Sequence, residues 1–304
     1  MARFSLTGYS NDFRSLSPTV GLFILTTFIF SSVPWVLTAI SNKYGSLGFS
    51  LYSEMLMWCP GLAAFLTLLY NKRPIASLRW NWPTNYYVLL SWLLPIAYTL
   101  LSYIGVWTIG KGKFPNRLTM DEFAIRLGLG LSPLASTIIY VLLEGTFGMF
   151  PAISSALGEE IGWRGFLLPE LVKSYSFTAS SIFVGLVWSV WHYPLILTSD
   201  FYSSTAPVWY QLICFTVYVT SLSVIFGWIR LKSGSLWTGA ILHASQNLYM
   251  QVFLTPLTAN TGHTAWYIDE FGVALPITSL ITAIYFWGRR HELELGVRLP
   301  LQEV

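Results

Sequence analysis

Eight times along this chain a nearly charge-free run of twenty or so residues recurs, and no other sequence feature restricts the fold as strongly. A hydrocarbon core of ~30 Å takes about 20 helical residues to cross, and within it every backbone N–H and C=O must be paired inside the segment. The runs lie at about 18–41, 50–70, 86–109, 131–157 continuing to about 171, 178–199, 208–230, 235–256 and 266–288. They predict an all-α, polytopic membrane protein: a helical bundle of about eight transmembrane helices. In the fourth run Gly145, Gly148 and Pro151 can break a long helix into two pieces, which would add a ninth segment. Composition agrees. Only 10% of residues are charged while 54% are hydrophobic, against about 25% charged in an average soluble domain, too little polar surface to coat a water-soluble globule.

The remaining charge is placed as a membrane would place it. Basic residues sit in short groups between the runs and form no stripe, so the pattern is not a nucleic-acid footprint. Alternating the connections puts twelve of them, among them Arg3, Arg14, Lys72, Arg73, Lys173 and Arg230, on the amino-terminal side. Lys43, Lys111, Lys113, Arg117 and Arg126 fall on the other. The positive-inside rule then predicts both termini in the cytoplasm. The polar first sixteen residues, with Arg3, Asp12 and Arg14, do not resemble a cleaved signal peptide. The connection at about 110–130 has the character of a short interfacial amphipathic helix. Cys59 and Cys214 both lie inside apolar stretches and read as small buried hydrophobes. No linker, repeat or soluble domain interrupts the pattern, so residues 1–304 read as one integral-membrane domain.

Ionisable groups inside such runs cost about 2.5–3.5 kcal/mol each on insertion scales, so a cluster of them marks function. Here they concentrate in three places. Gly158-Glu159-Glu160-Ile161-Gly162-Trp163-Arg164-Gly165 carries two carboxylates and a guanidinium; Trp188-Ser189-Val190-Trp191-His192 and His243-Ala244-Ser245-Gln246-Asn247 follow in later runs. Glu160 and Arg164 share a helix face in the favourable order for an ion pair, whereas Glu159 points about 100° away and stays free for proton transfer. His243 and Asn247, also four apart, project toward one point, where two donors can stabilise an oxyanion. His192, one turn after Trp188, is placed to help Glu159 orient a water. Gly158, Gly162 and Gly165 permit the close helix approach that gathers three spans. Taken singly, the Glu160–Arg164 pair reads equally as a structural ion pair, and each histidine as a hydrogen-bonded core residue. Two histidines and a glutamate are also compatible with a zinc site. Glu54 and Glu144 have no His or Arg at helical spacing and read as structural. His291-Glu292-Leu293-Glu294-Leu295 lacks the second histidine of a zincin helix, and no Walker, GxGxxG or GxSxG motif is present.

Glu159-Glu160-x-x-x-Arg164, an aromatic residue with x-x-x-His192, and His243-x-x-x-Asn247, in that order on successive runs, resemble the CPBP family of intramembrane glutamic endopeptidases. That family includes the type II CAAX prenyl endopeptidases and the bacterial abortive-infection proteins. The wording Gly-Glu-Glu-Ile-Gly-Trp-Arg-Gly-Phe-Leu-Leu-Pro-Glu is similar to its bacterial branch; the second motif commonly begins with Phe where Trp188 stands here. The resemblance covers residues 148–250 and implies a catalytic core there, built around an intramembrane cavity in a bacterial cell membrane. It implies that Glu159 activates water with help from His192 and that His243 and Asn247 hold the oxyanion. Glu160, supported by Arg164 and Trp188, is a second candidate for base chemistry. The implied partners are the lipid bilayer and a membrane-associated peptide or protein, prenylated in the CAAX case, with no cofactor. The rival classes are a non-catalytic immunity or regulatory scaffold, a zinc-dependent membrane protease and a proton-coupled transporter.

Overall fold

A computed structural model of the chain describes residues 17–41, 47–198 and 205–293. Arg3, Asp12, Arg14, Lys43, Glu294, Leu295 and Arg298, which figured in the reading of the sequence, lie outside these residues. Among the described residues the fold is helical, without a β-strand; one isolated antiparallel bridge joins Lys113 to Ala259. The elements are α1 (Pro18–Ser41), α2 (Leu47–Tyr70), α3 (Asn85–Thr108), α4 (Arg117–Leu127), α5 (Pro133–Thr146), α6 (Met149–Glu160), α7 (Leu168–Leu171), α8 (Phe177–Thr198), α9 (Val208–Ser233), α10 (Trp237–Asn247) and α11 (Ala274–Gly288). Two π-helical turns, Ile161–Leu167 and Leu248–Leu254, continue α6 and α10.

The polytopic bundle predicted from the apolar runs is what forms, but the count of eight spans does not follow from it. Five helices, α1, α2, α3, α8 and α9, are long and apolar enough to cross a membrane, and the α5–α6 pair makes a sixth if read as one span bent by 45°. The break falls at Phe147 and Gly148, within the Gly145–Pro151 stretch. The seventh run is helical throughout, yet it carries His243, Ser245, Gln246 and Asn247, and this polarity keeps it below a span's hydropathy. The eighth run starts as a helix only at Ala274, because residues 266–273 form turns, which leaves 15 helical residues. At 110–130 the expected short helix is α4, ended by Gly128 in the left-handed region (φ 63°).

Burial is the inverse of a soluble protein's. Leu25, Ile29, Val33 and Ile40 of α1 and Leu280, Ile281 and Ile284 of α11 face outward, a continuous apolar exterior that belongs against lipid tails. Hydroxyls turned inward close on their own helix: Thr27, Ser31, Thr38 and Thr67 each donate to the carbonyl four residues back. α9 is the most enclosed span, packed by α8 and α11, while α10 sits against α3, α6 and α9. Cys59 and Cys214 are buried free thiols, as their context suggested.

Glycines decide where α6 lies. A Cβ on Gly158 would meet the Met57 carbonyl at 2.6 Å, one on Gly162 the Pro60 side chain at 2.5 Å, and one on Gly61 the Gly158 carbonyl at 2.7 Å. The α2–α6 seam is therefore backbone against backbone, as the small-residue spacing anticipated. Gly165 is looser, with Leu236 and Leu78 at 3.2 and 3.3 Å.

Candidate active site

The end of α6 and the π turn after it set the first group. Glu159 and Glu160 are 1% and 0% exposed, and Arg164 is 0% exposed. Arg164 Nη1 donates to Glu160 Oε1 at 2.8 Å, forming the expected ion pair fully inside the protein. The guanidinium is flanked by the rings of Trp188 (4.1 Å) and Phe226 (4.9 Å), whose faces offset part of the desolvation of the cation. Its Nε and Nη2 have no hydrogen-bond partner, nor has Glu160 Oε2.

The two glutamates are wired differently. Glu159 Oε2 accepts from the indole N–H groups of Trp163, at 3.1 Å, and Trp188. Both donors reach one carboxylate oxygen, so the other is left toward the cavity that Glu159 lines. Glu160 does not line that cavity; its Oε1 accepts from Arg164 and also from His243 Nδ1 at 3.0 Å. That placement sets Glu160 apart from direct base chemistry and makes it the anchor of His243.

α8 and α10 contribute the histidines and the amide. His192 Nδ1 lies 3.0 Å from the Trp188 carbonyl. A carbonyl only accepts, so the proton sits on Nδ1 and the lone pair of the neutral ring on Nε2. The ring is held between Trp191 (centroids 4.7 Å) and Phe215 (5.1 Å). His243 packs edge-on against Trp188 at 5.4 Å, and its bond to Glu160 leaves Nε2 as the second ring nitrogen. Glu159, Trp188, His192, His243 and Asn247 all line one cavity of about 210 Å³. Three spans separated by up to 88 residues thus converge as their spacing predicted. Arg164 and Glu160 stand immediately behind this wall.

Several wall residues escaped the sequence reading. Trp163 follows Glu159 by four positions, so the rule that paired Glu160 with Arg164 would have found it. Gln251 follows Asn247 by the same interval. Glu270, 8% exposed, enters from the turn region before α11; the adjacent Asp269-Glu270 acids were the available signal. The opposite wall is apolar, formed by Phe49, Leu56, Leu195, Phe215, Val219 and Leu222. Glu54 accepts from Ser155 at 2.6 Å, a contact between helices consistent with a structural part. Among the described residues no three His, Cys, Asp or Glu side chains are arranged to hold a metal ion.

Residues 136–249 match the family model described as "Type II CAAX prenyl endopeptidase Rce1-like". A curated relative, CAAX prenyl protease 2 of Methanococcus maripaludis, is 26% identical over 271 residues, covering 86% of this chain and 92% of the relative. Over the stretch that carries all three motifs the chain is thus Rce1-like, and with its long apolar helices it is a multi-pass, CAAX-protease-like membrane hydrolase.

Proposed function

We propose that this chain is an intramembrane endopeptidase that cleaves a membrane-associated, CAAX-type prenylated substrate with a water activated by Glu159, its catalytic core lying in residues 148–250. The observation that carries the reading is the convergence of Glu159, His192, His243 and Asn247 on one cavity whose other wall is apolar. That wall suits an isoprenoid chain beside a scissile peptide.

In the reaction, water sits between the free oxygen of Glu159 and the Nε2 lone pair of His192. Glu159 takes a proton as the water oxygen attacks the carbonyl carbon. Negative charge moves to the carbonyl oxygen, where the Asn247 amide and His243 Nε2–H donate. For His243 to donate there while Nδ1 serves Glu160, its ring is doubly protonated, and the Glu160 carboxylate is the counter-charge. Collapse of the tetrahedral intermediate breaks the C–N bond, and Glu159 returns its proton to the leaving amine. Arg164 and the two indoles hold the carboxylates in place and touch no reacting atom. The excess of basic residues on the amino-terminal side supports a cell-membrane orientation with cytoplasmic termini.

The test is hydrolysis of a farnesylated CAAX peptide, within a fluorogenic panel, by the purified protein in detergent with and without a chelator. Glu159→Gln should abolish cleavage while the protein stays folded. Turnover retained in that variant overturns the role of Glu159, and metal-restorable loss on chelation moves the mechanism to a bound ion.

A further inference from the structure

A second cavity, of about 780 Å³, opens at the end of the bundle where α2, α9 and α11 finish. Five cationic side chains, Arg73, Arg79, Lys173, Arg230 and Lys232, face two carboxylates, Glu170 and Glu292. Both carboxylates are already engaged. Glu170 receives Arg73 at 2.7 Å and Lys173 at 2.8 Å, and Glu292 receives Arg289 at 2.6 Å and Lys232 at 3.4 Å.

Arg79 and Arg230 are the excess. Neither ion-pairs with a carboxylate among the described residues. Arg230 is 3% exposed, gives one hydrogen bond from Nη2 to the Leu78 carbonyl at 3.2 Å, and has no partner at Nε. A guanidinium buried without a counter-charge is costly, so its retention on a cavity wall points to an anion that completes it. Arg79 stands at the cavity in the left-handed region (φ 66°), fixed by its N–H to the Ala76 carbonyl at 3.1 Å and by the Leu236 N–H to its own carbonyl at 2.9 Å. The carbonyls at the ends of α2, α9 and α11 draw cations too, but Arg73, Lys173 and Lys232 already meet that demand. Indoles mark the level in the bilayer. Trp237 lies 6.1 Å from Trp80 and 5.6 Å from Trp82, and Arg290 stacks over Trp287 at 3.9 Å, a density of tryptophan and arginine typical of the headgroup layer.

We propose that this cavity binds a phosphate-bearing anion, seated between the guanidinium groups of Arg79 and Arg230. Paired arginine forks match the geometry of phosphate oxygens. Two sources supply that chemistry: the headgroup of an anionic phospholipid and free inorganic phosphate. Gly165 and Phe166, in the π turn that also bears Arg164, line the same cavity, so the occupant braces the turn from behind. The inference stands independently of the peptidase reading and needs no activity readout.

The experiment uses the purified full chain in zwitterionic detergent. Thermal unfolding and native mass spectrometry are followed with phosphatidylglycerol, phosphatidylcholine, sodium phosphate, or sodium chloride at matched ionic strength. Phosphatidylglycerol, inorganic phosphate or both should raise the melting temperature beyond chloride and phosphatidylcholine. Retention of phosphatidylglycerol alone assigns the lipid headgroup; a response to inorganic phosphate assigns the free anion. Arg79→Gln, an exposed position that should fold normally, should weaken the apparent affinity by about tenfold or more, while Arg117→Gln on distant α4 leaves it unchanged. Failure of both anions to exceed chloride, or equal weakening in the two variants, overturns the proposal.

Discussion

Gly239 carries no chemistry, yet it controls the distance between α10 and the buried carboxylate that anchors His243. A Cβ added there would lie 2.6 Å from Glu160 Oε2, whereas ordinary contact begins near 3.4 Å. Glu160 must then retreat by about 0.8 Å. It cannot do so cheaply, because Arg164 and His243 both hold its other oxygen, at 2.8 and 3.0 Å. Overpacking of this kind costs about 1–3 kcal/mol of stability. A misplacement near 1 Å at a positioned group costs up to about 10²-fold in rate. Gly239→Ala should therefore lower kcat on the farnesylated peptide by one to two powers of ten, with a smaller effect on KM. The comparison is Gly105→Ala in α3, where an added Cβ meets nothing within 4 Å and helix propensity alone should stabilise slightly. Wild-type turnover by folded Gly239→Ala would refute the argument that the Glu160–His243 bond must keep its present geometry.

Other outcomes follow from the same contacts. Arg164→Ala leaves Glu160 buried without its cation, and loss of one partner of a buried pair costs about 3–5 kcal/mol; the folded yield and melting temperature should drop together with activity, and an unchanged melt would show that the pair bears no structural load. Trp163→Phe keeps the ring contacts to Phe23 and Trp191 but removes one donor to Glu159. A hydrogen bond to a charged group is worth about 1.5–3 kcal/mol, so kcat should fall by about one to two powers of ten, and an unaltered kcat leaves Trp188 as the sole necessary donor. Beyond α11, the bidentate Arg289 fork holds the Glu292 carboxyl below its ordinary range, with Lys232 adding to it. A depressed carboxyl stabilises the fold above its unfolded value and loses that contribution as pH falls through the folded one. Hydrogen exchange at the end of α11 should therefore quicken on acidification through and below the usual carboxylate range, and Glu292→Gln should remove that dependence.

The site was largely legible because its pieces obey helical spacing. Glu160 with Arg164 and His243 with Asn247 each lie four residues apart, and both pairs do share a face. What spacing along one helix could not give was contact between helices. The bond from His243 to Glu160 crosses 83 positions, and it changes Glu160 from a candidate base into an anchor. Glu270 was hidden for another reason: the expected last span absorbed it, although residues 266–273 fold as turns and aim it at the cavity. Span counting failed on α10 for a related cause, since hydropathy averages over both faces of a helix whose polar face is the site itself.

The two π turns have a consequence for how this chain tolerates changes of length. At Ile161–Leu167 the Leu168 N–H reaches the Trp163 carbonyl, and at Leu248–Leu254 the Thr255 N–H reaches that of Met250, five residues back in each case. Each wide turn thus accommodates one residue more than an α-helical path would. Removing a residue there acts less as a shortening than as a rotation, turning everything beyond it by about 100° about the helix axis. Downstream of the first turn that would swing Leu168 and Leu171 off the core they now fill. Single-residue indels should accordingly be absorbed at 128–132, between α4 and α5, and be ruinous at 161–167. The phase of the helix, and not its length, is what the sequence has to conserve at those seven positions.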